Sequence, residues 1–369
     1  MADRNQLPLT PSDVIFAEAT PRQRILAWKL NGASWAPPMT IEQYIGREET
    51  LSKTALSANG GTKYYVLHHK DNPDTIVSAC EVTSKKALVA DGSGTGGSRV
   101  VDAYGLASVY TAPHFRERGM ASHLLRKVQE AVDATTECGA LYSDIGREYY
   151  SRLGWKDFRT PQVKFTLKEG FEPSQVGSDV HFLAESDVRE LCEKDTAALT
   201  ERFRQLAEAN DGKTHLAFLP SFVQCSWHFA RDAYVAKVMV DREVKHRGAR
   251  TADGRSWLYW DHDLREKKLK VLRIVTSEGD GHDKRVADVK ALLRAALAET
   301  HDWGLPALLV WSPGEEVVAA ATGVWLEEGE KLQVLLEERQ DGSIPSLRWK
   351  GTEDVGKVVW EANQYFAWC

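Results

Sequence analysis

From Gly119 the segment "GMASHLLRKVQEAVDA" places Met120, Leu124, Leu125, Val128 and Val132 on one face of a 3.6-residue period, which predicts an amphipathic helix packed on a sheet. The runs before it read differently. "KYYVLHHK", "TIVSACEVTSKKALVA" and "VVDAYGLASVYTAP" are rich in β-branched and aromatic residues. They are separated by Asn-Pro and by the Gly/Ser-rich "DGSGTGGS", and so predict an antiparallel meander. Ahead of them "DVIFAEAT" predicts a first strand. "PRQRILAWKLNGASW", with Pro21 suited to a first turn, and "TIEQYIGREETLSKTALS" predict two helices. After the amphipathic helix come a short strand "GALYSDI", a short helix "GREYYSRLG" ended by Gly154, and a closing strand in "WKDFRTPQVKFTLK". Residues 1–168 thus read β-α-α-β-β-β-α-β-α-β, and "EGFEPSQVGSD" reads as a linker over 169–179.

Residues 180–369 begin with two helical runs, "AESDVRELCEKDTAALTERFRQLAEA" and "SFVQCSWHFARDAYVAKV". Strands follow in "RSWLYWDHD" and "KLKVLRIVTS", then a helix in "KRVADVKALLRAALAETHDWG", a strand in "PALLVWSP" and a short helix in "GEEVVAAATG". The tail "DVGKVVWEANQYFAWC" predicts one more short helix. This order repeats that of the first half without a residue-level repeat, and points to a degenerate duplication.

A chain of 369 residues with 43% hydrophobic and 27% charged residues is expected to form two or three globular domains. A net charge of −6 and a pI near 6.0 argue against a nucleic-acid or anionic-membrane binder and favour, if anything, cationic substrates. Cys80, Cys138, Cys192, Cys225 and Cys369 are scattered without a C-x-x-C pair. They suggest neither a disulfide framework nor a thiolate zinc site, and fit a reducing compartment. With no apolar leader and no apolar run of about 18 residues, the expectation is a cytoplasmic enzyme, a monomer or homodimer acting on a small molecule.

One loop changes the picture. Arg116-x-x-Gly119-x-Ala121 sits where a strand hands over to the amphipathic helix. There, unpaired N–H groups and the positive end of the helix dipole would cradle a pyrophosphate, with Arg116 and Arg118 adding charge. Alone, such a loop is ordinary solvated surface. Together with "LYSDIGREYYSRLGW", in which Tyr150 stands four residues before Gly154-Trp155, "ASVYTAPHFRERGMASHLL" resembles the two signature motifs of the GNAT superfamily of acetyl-CoA-dependent N-acetyltransferases. The pair Cys80-Glu81, the Tyr150 block, the chain length and the large C-terminal half further resemble the fungal lysine N6-acetyltransferases of lysine catabolism.

The resemblance implies an α/β (α+β) GNAT fold with a mixed, mostly antiparallel sheet over 1–168, followed by a second, degenerate GNAT-like domain over 180–369 that shapes the substrate site. The helix from Lys284 follows the acidic "SEGDGHDK", so no second coenzyme loop is expected. Acetyl-CoA would be the co-substrate, with no metal. Its binding would fall to Val109, Tyr110 and Thr111 on the strand, and to Arg116, Glu117, Arg118, Gly119, Met120, Ala121 and Ser122 in the loop. Ser143 stands near where many members carry an asparagine that contacts the cofactor.

An amine of pKa about 10.4 must lose a proton to attack, and Asp144, Glu81, Glu148 and Asp102 are candidate bases, with Tyr150 the candidate acid for the departing thiolate. The terminal carboxylate of Cys369 is a further candidate base, because the aromatic tail "EANQYFAWC" reads as docked. Each has a plainer reading: Asp144 as a helix cap, Glu81 as a solvent-facing strand residue, Tyr149 and the tail aromatics as core. His114 and His123 read as surface, His262 and His282 as turn residues beside aspartates, and Trp257, Tyr259 and Trp260 either as a packed strand or as a substrate wall. The competing functions are acetylation of free L-lysine, of a protein lysine, of a polyamine or antibiotic amine, and acetyl-CoA sensing without turnover.

Overall fold

The computed structural model describes residues 9–92, 97–277, 279–340, 342–351 and 354–368. Strand β1 (Val14–Glu18) leads into helices α1 (Pro21–Trp35) and α2 (Ile41–Ser52). The sequence starts both helices in the same way: Thr20 and Thr40 accept from the backbone N–H of Gln23 and Gln43, whose side chains accept from the threonine N–H in return. The meander follows as β2 (Thr62–His69), β3 (Asn72–Asp91) and β4 (Ser98–Thr111). Then come α3 (Met120–Val132), β5 (Cys138–Ser143), α4 (Glu148–Ser151) and β6 (Lys156–Asp157). The five apolar residues of the α3 stripe are all buried, so the 3.6-residue pattern located the core face of this helix.

The second half runs β7 (Pro161–Leu167), β8 (Val180–Leu183), α5 (Glu185–Glu208), β9 (Thr214–Phe218), α6 (Phe222–Val240), β10 (Gly248–Thr251), β11 (Trp257–Asp263) and β12 (Lys268–Val275). It continues through α7 (His282–Asp302), β13 (Ala307–Trp311), α8 (Glu315–Glu328), β14 (Leu332–Glu338), β15 (Ile344–Trp349) and β16 (Val358–Trp360). Two mostly antiparallel sheets result. The first has the order β1-β2-β3-β4-β5-β15-β6, with β9 joined to the far end of β3 and β16 to β9; the second has the order β14-β7-β13-β12-β11-β10-β8.

The halves exchange strands. The closing strand read in "WKDFRTPQVKFTLK" divides: β6 stays on the first sheet, while β7 crosses to the second and pairs with β13 and β14. In return β15 enters the first sheet between β5 and β6. Each sheet therefore holds a strand from the other half, and α3 has its counterpart in α7 between the parallel strands β12 and β13. The tail is not a helix. Val358–Trp360 pairs with β9, and Tyr365–Ala367 forms a buried 3-10 turn held by Lys85 Nζ, which donates to the Ala367 carbonyl at 2.9 Å.

Candidate active site

Strands β4 and β5 run parallel and pair only from Ala103↔Cys138 to Gly105↔Ala140. Beyond that they part, although each keeps its outer partner: β4 stays on β3 as far as Thr111↔Ser78, and β5 stays on β15 as far as Ser143↔Ile344. The parting has a local cause. Between Ala107↔Glu81 and Tyr110↔Ala79 strand β4 carries one extra residue, and Ser108 there has φ +53°, so the strand bulges where it leaves β5. A V-shaped slot opens, edged by Val109, Tyr110 and Thr111.

At the mouth of the slot α3 begins without a side-chain cap. Its N-cap is Gly119 at φ +73°, and a Cβ built there would meet nothing within 4 Å. The N–H groups of the first turn, through Met120, Ala121 and Ser122, lie beyond the reach of the helix's own carbonyls. A phosphate fits both features: it needs open space beside Gly119 and donors at a positive helix end. Arg116 partly secures the loop itself, since its Nε donates to the Thr111 carbonyl at 3.1 Å and its guanidinium lies 5.1 Å from the Tyr110 ring centre. Arg118 and Glu117 are exposed, Glu117 with φ +60°. Ser143 is buried and organises the next turn, its Oγ donating to the Gly146 carbonyl at 2.7 Å.

Tyr150 is buried against the α3 core, and among the described residues its hydroxyl has no hydrogen-bond partner. Burial, then the charges of Tyr149, Cys80 and Asp144, raise its pKa, so it holds its proton at neutral pH. Tyr149, its ring perpendicular to that of Tyr150, shares a 3.1 Å hydrogen bond with Ser122 Oγ and so ties α4 to the first turn of α3.

Glu81 is half-buried rather than free in solvent. Its carboxylate, directly beside the β4 bulge, accepts from Trp28 Nε1 at 3.3 Å. Burial and the nearby Glu48 carboxylate push its pKa up to about 8, against the opposing hydrogen bond of Trp28, the charge of Arg47 and the hydroxyl of Ser108. A small cleft there is lined by Arg24, Trp28, Asn31, Tyr64, Glu81 and Ser108. Trp28 and Tyr64 meet edge to face at 5.7 Å under the Arg24 guanidinium, and Asn31 Oδ1 is buried without a partner. Behind the cleft Arg47 and Glu48 pair on α2.

The other candidate bases lie elsewhere. Asp144 is exposed; its Oδ1 accepts from the Ser343 N–H at 2.7 Å, and it caps no helix, since α4 starts at Arg147 without a side-chain cap. Glu148 pairs with Arg152 and Asp102 with Lys86, all at the surface. Cys369 lies outside the described residues, while Tyr365 and Phe366 are core, as the plainer reading has it. His262 is no turn residue. It is buried on β11, 2.9 Å from Asp232 and 3.0 Å from Glu299, which hold its pKa at about 9 although burial opposes the charge. Trp257, Tyr259 and Trp260 are core, and among the described residues no cluster of His, Cys, Asp or Glu could hold a metal. No helix of the described residues is long and apolar enough to cross a membrane.

Sequence reasoning missed Trp28, Tyr64, Arg47 and Glu48. "GREET" looks like ordinary surface charge until α2 is seen to pack under α6, with Tyr234 Oη donating to the Gln43 carbonyl at 3.0 Å.

Solved structures share this plan: a probable N-acyltransferase from Enterococcus faecalis (TM-score 0.54, 11% identity, 91% of this chain and 72% of that one) and a putative acetyltransferase from Pyrococcus horikoshii (0.51, 11%, 97% and 95%). A GCN5-related N-acetyltransferase from Kribbella flavida is also similar (0.52, 14%, 92% and 72%). The fold and the slot define a GNAT-type acetyltransferase, and enzymes of this type use acetyl-CoA as co-substrate. Residues 164–369 match the model of the LYC1 GNAT-like C-terminal domain, and the chain belongs to that family. The chain is 23% identical over 384 residues to the uncharacterized protein YGR111W of Saccharomyces cerevisiae (92% of this chain, 93% of that one). It is 23% identical over 301 residues to a lysine acetyltransferase of Yarrowia lipolytica (69% and 74%).

Proposed function

We propose that this protein transfers the acetyl group of acetyl-CoA to the ε-amine of free L-lysine. Acetyl-CoA supplies an activated thioester. The first turn of α3 and Arg118 hold its pyrophosphate, and backbone groups near Val109 and Thr111 orient the arm along the slot and polarise the carbonyl. Glu81 takes the proton from the substrate ammonium, and Tyr150 gives one to the departing sulfur.

The observation that carries this reading is the placement of Glu81: a carboxylate with its pKa near 8, walled by Trp28 and Tyr64, directly beside the bulge where β4 turns away from β5. Such a group is half-ionised near working pH, as a general base should be. The aromatic wall suits an alkyl-ammonium chain. The lysine acetyltransferase among the relatives supports the choice of amine. Release of CoA measured with free lysine, polyamines and a histone-tail peptide tests it. Turnover with lysine at least tenfold above the others is expected, and a preference for the peptide would overturn the proposal.

A further inference from the structure

One face of the second sheet packs on α7 and α8: Val163, Phe165, Leu308, Val310, Leu269 and Val271 share a core with Leu292 and Val317. The residues that alternate with them point to the opposite face, where Lys164, Leu309 and Lys270 stand side by side in register. An open cavity of about 470 Å³ lies on that face and reaches as far as Asp144 at the end of β5. It shares no lining residue with the Glu81 cleft.

Four carboxylates and four cations line this cavity, and they are not equally answered. Every carboxylate has a donor. Asp144 accepts from the Ser343 N–H, Glu266 meets Lys270 at 3.0 Å, Glu337 accepts from Gln162 Nε2 at 2.7 Å, and Glu338 accepts from the Thr160 N–H at 2.7 Å. Of the cations, Lys268 and Lys270 are both held by Glu266, and Lys270 by Asp263 as well. Lys164 and Arg339 are left over. Among the described residues Lys164 makes no side-chain hydrogen bond or ion pair. The Arg339 guanidinium lies 3.8 Å from the Trp311 ring centre, and its one side-chain hydrogen bond among the described residues runs from Nη2 to the Ser343 carbonyl at 3.1 Å. Its Nε is buried without a partner, and burial pulls its pKa down to about 10 although Tyr142 and Glu338 oppose the shift.

Two cations without a counter-charge on one cavity, one of them a planar fork held in place on an indole face, suit an anion. We propose that this cavity binds a small anion carrying a carboxylate or phosphate group, held by Arg339 and Lys164, at a site separate from that of acetyl transfer. Arg339 directly follows β14 and Ser343 directly precedes β15, so an anion here braces the crossing from the second sheet to the first.

Isothermal titration of the full-length protein at low ionic strength with succinate, and separately with inorganic phosphate, tests the assignment and distinguishes the two anion chemistries. At least one of the two should bind with a Kd of about 1 mM or tighter. Arg339→Gln and Lys164→Gln should each weaken that binding by about tenfold or more. Gly119→Val, at the start of α3, and Lys194→Gln, in a surface pair on α5, should leave it unchanged. Unchanged affinity in either cavity variant, or loss of binding in Gly119→Val, would overturn the proposal by placing the anion elsewhere. So would the failure of both anions to bind at about 10 mM.

Discussion

Replacing Glu81 with glutamine keeps the shape and the acceptor for Trp28 Nε1 but removes the charge that the site strains to hold. With its pKa near 8, about one carboxyl in ten is ionised at pH 7 and half at pH 8, so kcat/KM for lysine should rise about tenfold per unit below 8 and level off above it. Glu81→Gln should lower kcat/KM by about 10²- to 10⁴-fold and abolish that limb, leaving only the rise due to the amine itself near pH ~10.4. The stability consequence has the opposite sign. The folded-state pKa lies above the ordinary 4.5, so the folded chain holds the proton more tightly than the unfolded one, and wild-type stability falls as pH rises from 4.5 to 8. Each unit in that window costs about 1.4 kcal/mol, or about 4–5 kcal/mol in all as an upper bound. Glu81→Gln pays none of this and should be the more stable protein above pH 8, by denaturant unfolding, while being the poorer enzyme. A variant with an unshifted pH–rate limb, or one less stable than wild type at pH 9, would refute the reasoning.

Tyr150→Phe should lower kcat by about 10²-fold or more with little change in KM for acetyl-CoA, checked by steady-state kinetics; wild-type kcat would remove Tyr150 as the acid. Gly119→Val places a β-branched side chain at φ +73° and in the open space beside the α3 first turn. Calorimetry should show acetyl-CoA affinity falling by at least tenfold while circular dichroism stays native. Residues 1–168 expressed alone lack β15 between β5 and β6 and carry β7 without its partners, so they should be insoluble or unfolded rather than active; a folded, active fragment would contradict the exchanged-strand account. Leu124→Ala, on the fully buried stripe of α3, should cost about 2–5 kcal/mol in chemical unfolding.

Much of the first half was legible because its signals are local. Periodicity alone placed the α3 stripe, the Gly119 loop announced itself through glycine and arginine before a helix, and Tyr150 was pointed to by the resemblance of its block to a GNAT signature motif. The hidden features are those that depend on distant partners. β9 and β15 are short strands whose pairing comes from the other half, β16 in turn pairs with β9, and no local pattern separates "THLAF" or "IPSLRW" from a loop. The burial of Glu81 depends on α1 and α2 folding over it, and His262 reads as a turn residue until Asp232 and Glu299 are brought beside it from α6 and α7.

The most direct measurement is NMR of the product formed from acetyl-CoA and free L-lysine labelled with ¹⁵N at the ε-position. The account predicts an ε-amide as sole product, formed one for one with released CoA by the wild type and reduced to near background by Glu81→Gln. Acetylation of the α-nitrogen, or no product with free lysine while a peptide is acetylated, would contradict it.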